Sequence, residues 1–298
     1  MIWVNLILFL LFLAILIKTA DYAIKYSSRI ARTLRLPEFI VSFFIVALIS
    51  VLPEATIAII SAIEGEPSMS LGTLFGANIA DLTLVFGVVT LFSFNKIRVR
   101  SKILNNNFFY LIVLIFPLVL GLDGIYSRAD GIILILTGIL FYVKVYAESR
   151  RLRKKFNHAP KGHLGRDLLL LAISLGVIIF AASFTVKYSV GFAQEIKIPT
   201  VLIGITIIAV GTCLPELIFS IKAIKENKDD LALGDVLGTV ITDTTIILGL
   251  VALISPFNYN LSNLYVTGGA RLLGGIIVTL FMKSEKSLSK LEGLLLVF

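Results

Sequence analysis

The sequence predicts an all-α polytopic membrane protein with about ten transmembrane helices in two inverted five-helix repeats. Three observations carry that expectation. Of 298 residues, 57% are hydrophobic and 15% charged, with a mean hydropathy of +0.97, whereas an ordinary soluble domain carries roughly 25% charged residues. The apolar residues fall into runs of about 20, the length that crosses a bilayer core. A shift of 162 positions also lays the first part of the chain on the second, without a gap, over about 65 residues.

The first run begins at Met1-Ile2-Trp3-Val4 and stays uncharged until Lys18. With no basic n-region and no small-residue cleavage site, it reads as a first span and not as a secretory signal. Further runs start near Phe39, Leu71, Ile103, Ile132, Leu168, Thr200, Leu231 and Tyr265, which makes nine. A tenth starts near Leu288, and the sequence stops at Phe298. About 11 residues make roughly 16 Å of helix against a core of roughly 30 Å, so the last span is expected to be truncated or not to cross. Basic residues gather at Lys18 to Arg35, Lys96 to Lys102, Arg150 to Lys155, Lys222 to Lys228 and Lys283 to Lys290, all in alternate loops. The positive-inside bias makes those loops cytoplasmic and places the N-terminus outside. The same bias accounts for the excess of 27 Lys and Arg over 19 Asp and Glu, so the charge gives no reason to infer a nucleic-acid partner. The single Cys213 excludes a disulfide within the chain and a cysteine-rich metal site.

The shift of 162 carries Lys25-Tyr26-Ser27 onto Lys187-Tyr188-Ser189, Leu52-Pro53-Glu54 onto Leu214-Pro215-Glu216, Gly76 onto Gly238 and Asp81 onto Asp243. Residues 1–148 then form a first repeat, 149–165 a basic cytoplasmic linker holding both histidines, and 166–298 a second repeat. An odd number of spans separates the copies, so the second enters the membrane from the opposite side. That is the plan of secondary transporters, whose substrate site lies at the midplane between the halves.

Each Leu-Pro-Glu places a proline and a carboxylate inside an uncharged run. Proline has no N–H and clashes with the carbonyl four residues back, so Pro53 is expected to free the carbonyl of Ile49 and Pro215 that of Gly211. Glu54, Asp81, Glu216 and Asp243 each fall near the centre of a span, where one charged residue costs at least roughly 2.5 to 3.5 kcal/mol on insertion scales. Two such charges about 6 Å apart repel by about 3 kcal/mol at an effective dielectric of about 20. Spans two, three, seven and eight hold no interior Lys or Arg. The cluster therefore holds cations or protons. Carbonyls and carboxylates are the ligands of hard cations such as Ca²⁺ and Na⁺. Blander expectations attach to Gly72, Gly76, Gly234 and Gly238, as close helix-packing points, and to Asp235, as a favourable charge at a helix N-terminus, with a fifth path-lining carboxylate as its alternative. Arg271 is read as snorkelling or paired with an unidentified acid.

Gly211-Thr212-Cys213-Leu214-Pro215-Glu216, with Leu233 to Asp243, resembles the second α-repeat of the sodium/calcium exchangers, within the calcium/cation antiporter superfamily. Ile49 to Glu54, with Gly76 to Asp81, resembles the first. The resemblance covers nearly the whole chain. It implies Glu54 and Glu216 as principal Ca²⁺ ligands, oxygens from Ser50 and Thr212, and backbone carbonyls of Ala47 and Ala209 for Na⁺. Asp81 and Asp243 occupy the family's central third-span and eighth-span positions, and Thr239 keeps a hydroxyl that its mate Ala77 lacks. This chain departs from the family's G-T-S-x-P-E at Ile49-Ser50-Val51 and at Cys213, and carries Asp81 where archaeal members carry Asn.

The resemblance implies an antiporter exchanging Ca²⁺ for Na⁺ by alternating access, in the cell membrane, with no cofactor beyond the transported ions and no named protein partner besides the lipid bilayer. Weaker hydroxyls and a fourth carboxylate leave Ca²⁺/H⁺ exchange as the alternative, since like charge disfavours the ionised form of a neighbour. An intramembrane metal-dependent enzyme or a cation channel is the remaining reading.

Overall fold

A computed structural model describes residues 2–34, 36–63, 65, 67–93, 97–98, 108–151, 163–195, 213–259, 261, 264–283 and 287–297. The chain is an all-α polytopic membrane protein. Six helices are long and apolar enough to cross a membrane: Trp3–Leu34, Ser70–Phe92, Arg128–Ala147, Leu164–Thr185, Asp229–Ile254 and Tyr265–Lys283. The segments Glu38–Ser50 and Glu54–Ile60 form a further span bent by 44°, and Phe109–Asp123 is a shorter apolar helix. The run near Thr200 lies outside the described residues.

The outermost pair consists of α1 (Ile2–Leu34) and a long helix over Leu164–Glu195, which lie against one another. Phe12 of the first stacks on Phe184 and Tyr188 of the second, at 4.8 and 5.7 Å between ring centroids. Around the centre, the helix Asp229–Thr242 packs on the bent span and is buried from Leu231 to its end. Ile132, Leu136, Leu140 and Val143 are exposed along Arg128–Arg151. Their spacing puts them on one helical face, an apolar stripe suited to lipid.

The 162-residue offset recurs in the elements themselves. Leu52–Ile63 and Leu214–Lys225 differ by 162 at both ends. So do Pro67–Ala80 and Asp229–Thr242, and Phe86–Phe92 and Leu248–Ile254. Between the last two pairs the chain forms a π-helical turn, at Asp81–Val85 and again at Asp243–Ile247. Each begins on a span-centre carboxylate. Both turns share a local feature: Thr83 Oγ1 donates to the Ile79 carbonyl and Thr245 Oγ1 to the Ile241 carbonyl, each at 2.7 Å. A side chain that takes the carbonyl four residues back loosens the helical ladder at that turn.

Two short antiparallel ladders join distant loops. Ile97–Arg98 pairs with Ser287–Leu288, and Ile125–Tyr126 pairs with Phe257–Asn258.

One expectation is corrected here and a second is met in part. The chain does break at the first proline, but backbone N–H groups at the end of the Ala47–Ser50 helix bond to the carbonyls of both Ala47 and Ile49. The Ile49 carbonyl is thus not left free, because the last turn tightens to recover it. Of the four glycines, Gly234 and Gly238 are packing points. A Cβ on Gly234 would come within 2.6 Å of the Phe39 carbonyl, and one on Gly238 within 2.6 Å of the Ala47 Cβ. A Cβ on Gly72 or Gly76 meets no described atom within 4 Å. Residues 201–209, the counterparts at the offset of 162 of the segment 39–47 that Gly234 and Gly238 meet, lie outside the described residues.

Candidate cation site

Glu54 and Glu216 sit in the first turns of matching helices that start at Leu52 and Leu214. There the unpaired N–H groups and the helix dipole favour negative charge. Asp81 and Asp243 open the two π turns near the middle of the spans Ser70–Phe92 and Asp229–Ile254. The four side chains are all buried inside the molecule, with at most 2% of their surface exposed. Glu216 feels the charges of Glu54, Asp81 and Asp235, and Asp243 those of Glu54 and Asp81.

Their hydrogen bonding is what sets them apart from structural carboxylates. Glu54 Oε2, Asp81 Oδ1, both oxygens of Glu216, Asp235 Oδ2 and both oxygens of Asp243 accept no hydrogen bond, and neither does the neighbouring Asn78 Oδ1. Native interiors satisfy nearly all such atoms, and an ionised carboxylate can only accept. An interior rich in acceptors and poor in donors suits a cation. No three Asp, Glu, His or Cys side chains among the described residues converge into a metal-ligand group. The carboxylates come from four segments, Asp235 and Asp243 sharing one span, and Thr212 and Ala209 lie outside the described residues.

The hydroxyls cross between the halves. Ser50 Oγ donates to Asp235 Oδ1 at 3.1 Å and lies 3.4 Å from Thr239 Oγ1. Thr239 Oγ1 in turn donates to the Asp235 carbonyl at 3.1 Å. The Ala47 carbonyl accepts from Val51 N at 3.1 Å and lies 3.3 Å from Ser50 Oγ, whose one proton goes either to it or to Asp235 Oδ1. Cys213 and Ala77, the two positions that depart from a serine pattern, face each other, with Sγ 4.0 Å from the Ala77 carbonyl.

For two residues the structure decides between readings that the sequence left open. Asp235 is not an exposed charge at a helix end: it has no exposed surface, belongs to the carboxylate group, and lies two turns from Asp243 with Thr239 between them. Spacing of four residues along one helix face was the available signal. Arg271 does not snorkel. It has no exposed surface, donates to the Leu114 carbonyl at 2.7 Å and to Thr244 Oγ1 at 3.2 Å, and lies 4.1 Å from the centre of the Phe75 ring. Thr244 Oγ1 also receives Asn78 Nδ2 at 3.1 Å.

The sodium/calcium exchanger protein family matches residues 4–147 and 167–298. The chain belongs to that family. The exchanger is 26% identical to "Sodium/calcium exchanger MaX1" of Methanosarcina acetivorans, over 100% of this chain and 96% of that one. It is 29% identical to "Inner membrane protein YrbG" of Escherichia coli, over 82% and 78%. Among solved structures it resembles the sodium-calcium exchanger NCX_Mj soaked with 10 mM Na⁺ and zero Ca²⁺, with a TM-score of 0.86, 26% identity, and coverage of 100% and 96%. Family and structural likeness together make it a cation-exchanging antiporter.

Proposed function

We propose that the exchanger carries Ca²⁺ against Na⁺ through one buried site near the midplane, opened alternately to the two sides. The observation that carries this reading is a set of seven buried carboxylate oxygens without donors among the described residues, those of Glu54, Asp81, Glu216, Asp235 and Asp243, of which Glu54 with Glu216 and Asp81 with Asp243 stand on turns matched at the offset of 162. Glu54 and Glu216 are the bridging Ca²⁺ ligands, one from each half, and Asp81 and Asp243 lie between them. Ser50, Thr212 and Thr239 supply neutral oxygens. The carbonyls of Ala47 and Ala209 serve Na⁺. Residues 1–148 and 166–298 are the two inverted halves and 149–165 their cytoplasmic connector, with the N-terminus outside the cell membrane.

Ca²⁺ uptake into proteoliposomes tests this. A Na⁺ gradient is expected to drive uptake where a pH gradient alone does not. Uptake driven by the pH gradient alone would establish Ca²⁺/H⁺ exchange, the reading that Asp81 favours by adding one more carboxylate to a buried group. Flux without any counter-ion would be that of a channel.

A further inference from the structure

Arg271 heads the fully buried side chains by size among the described residues, and it lies within the apolar span Tyr265–Lys283. A guanidinium keeps its proton in a protein, so this is a positive charge held in a low-dielectric interior. Such a charge is tolerated when an anion or a full set of acceptors balances it. Among the described residues the acceptors are Thr244 Oγ1 and the Leu114 carbonyl, with the Phe75 ring face below the guanidinium, and Nε has no partner. The groups that act on it electrostatically are the phenols of Tyr110 and Tyr126 and one carboxylate, Asp243. Asp243 has two oxygens without donors and follows the same logic from the other side: the one cation acting on it is Arg271, reached through the adjoining Thr244.

We propose that Arg271 is a tethered counter-cation that takes the place of one transported monovalent cation beside Asp243. The inference rests on the carboxylate group being the transport site. Glu54, Asp81, Glu216, Asp235 and Asp243 carry a formal charge of −5, which Arg271 reduces to −4. In a low-dielectric interior that charge is felt beyond contact distance, so one fewer Na⁺ is needed to neutralise the site when Ca²⁺ leaves. The arrangement is one-sided. The position 162 residues before Arg271 is Phe109, so the first half has no such cation for Asp81. A purely structural tie between spans would need only the two hydrogen bonds, which a glutamine can in part provide.

The test is displacement of ⁴⁵Ca²⁺ by Na⁺ from the purified protein. Arg271→Gln is expected to steepen the Na⁺ dependence by about one ion and Arg271→Lys to restore the original slope, because binding and displacement are linked through the same charge balance. In proteoliposomes the charge moved per Ca²⁺ should rise by about one elementary charge in Arg271→Gln. A folded Arg271→Gln protein that binds ⁴⁵Ca²⁺ with the original Na⁺ slope overturns the proposal. Wild-type protein that fails to bind ⁴⁵Ca²⁺, or releases none to Na⁺, overturns the site reading instead. If Arg271→Gln alone does not fold, the double variant Arg271→Gln/Asp243→Asn decides. Recovery of a monodisperse protein on removing both charges supports the pairing, and a double variant that stays aggregated overturns it.

Discussion

Glu54 and Glu216 present the same local problem twice: a helix that must start inside the membrane, with a carboxylate in its first turn and almost nothing to bond it. Replacing either by glutamine keeps the shape and removes the charge. Glu54→Gln and Glu216→Gln are therefore expected to abolish Na⁺-driven Ca²⁺ uptake while leaving a folded, monodisperse protein, since Ca²⁺ requires charged oxygen ligands. Uptake at the wild-type rate by either would remove that residue from the site. Asp81 offers a finer test. Protons and Ca²⁺ compete for the same oxygens, so apparent Ca²⁺ affinity should fall as pH falls and carboxylates lose their charge. Asp81→Asn should still bind Ca²⁺ with a shallower pH dependence, measured by calorimetric titration; an unchanged profile would clear Asp81 of that role. The four span-centre carboxylates were legible in the sequence because charge in an apolar run is costly. For Asp235 and Arg271 the sequence offered two readings each and could not choose between them. Whether a charge near a span end or inside a span is solvated or buried depends on which neighbouring helices cover it, and that is a property of packing.

At the scale of elements, the approach of Asp229–Thr242 to the bent span is set by two missing side chains. Gly238→Ala would press a methyl against the Ala47 Cβ and come within 2.8 Å of the Phe43 carbonyl. Backbone cannot yield as a side-chain tip does, so the expected cost is about 1–3 kcal/mol, read as a lower melting temperature of the purified protein. Gly176→Ala is the control, since a Cβ there meets no described atom within 4 Å. Equal melting temperatures for the two variants would contradict the packing assignment. The helices themselves were foreseen from apolar length, and the break at Leu-Pro-Glu from proline. The π turns were not, because one widened turn leaves no mark on hydropathy.

For the whole molecule, orientation is the open variable that charge can predict. A cysteine at Lys154, in the basic connector, should be shielded from membrane-impermeant thiol reagents in intact cells, and one at Arg128 should be labelled. Arg128 is exposed, whereas its neighbour Ser127 bonds to Asp130 Oδ2 at 2.6 Å through its hydroxyl and is better left in place. Labelling at both positions would remove the inverted arrangement of the halves. That arrangement was inferred from an odd number of spans between copies, and residues 196–212, which complete the second copy, lie outside the described structure.

The π turns also date the chain. A π turn holds one residue more than the α turn it interrupts, and here it sits at the same register in both halves, Asp81–Val85 and Asp243–Ile247. Flanking helices of equal length bracket it each time, and no gap separates the two copies. We infer that the insertion entered a single ancestral half, which was later duplicated with the extra residue already in it. A relative with the extra residue in only one of its halves would point to the reverse order of events.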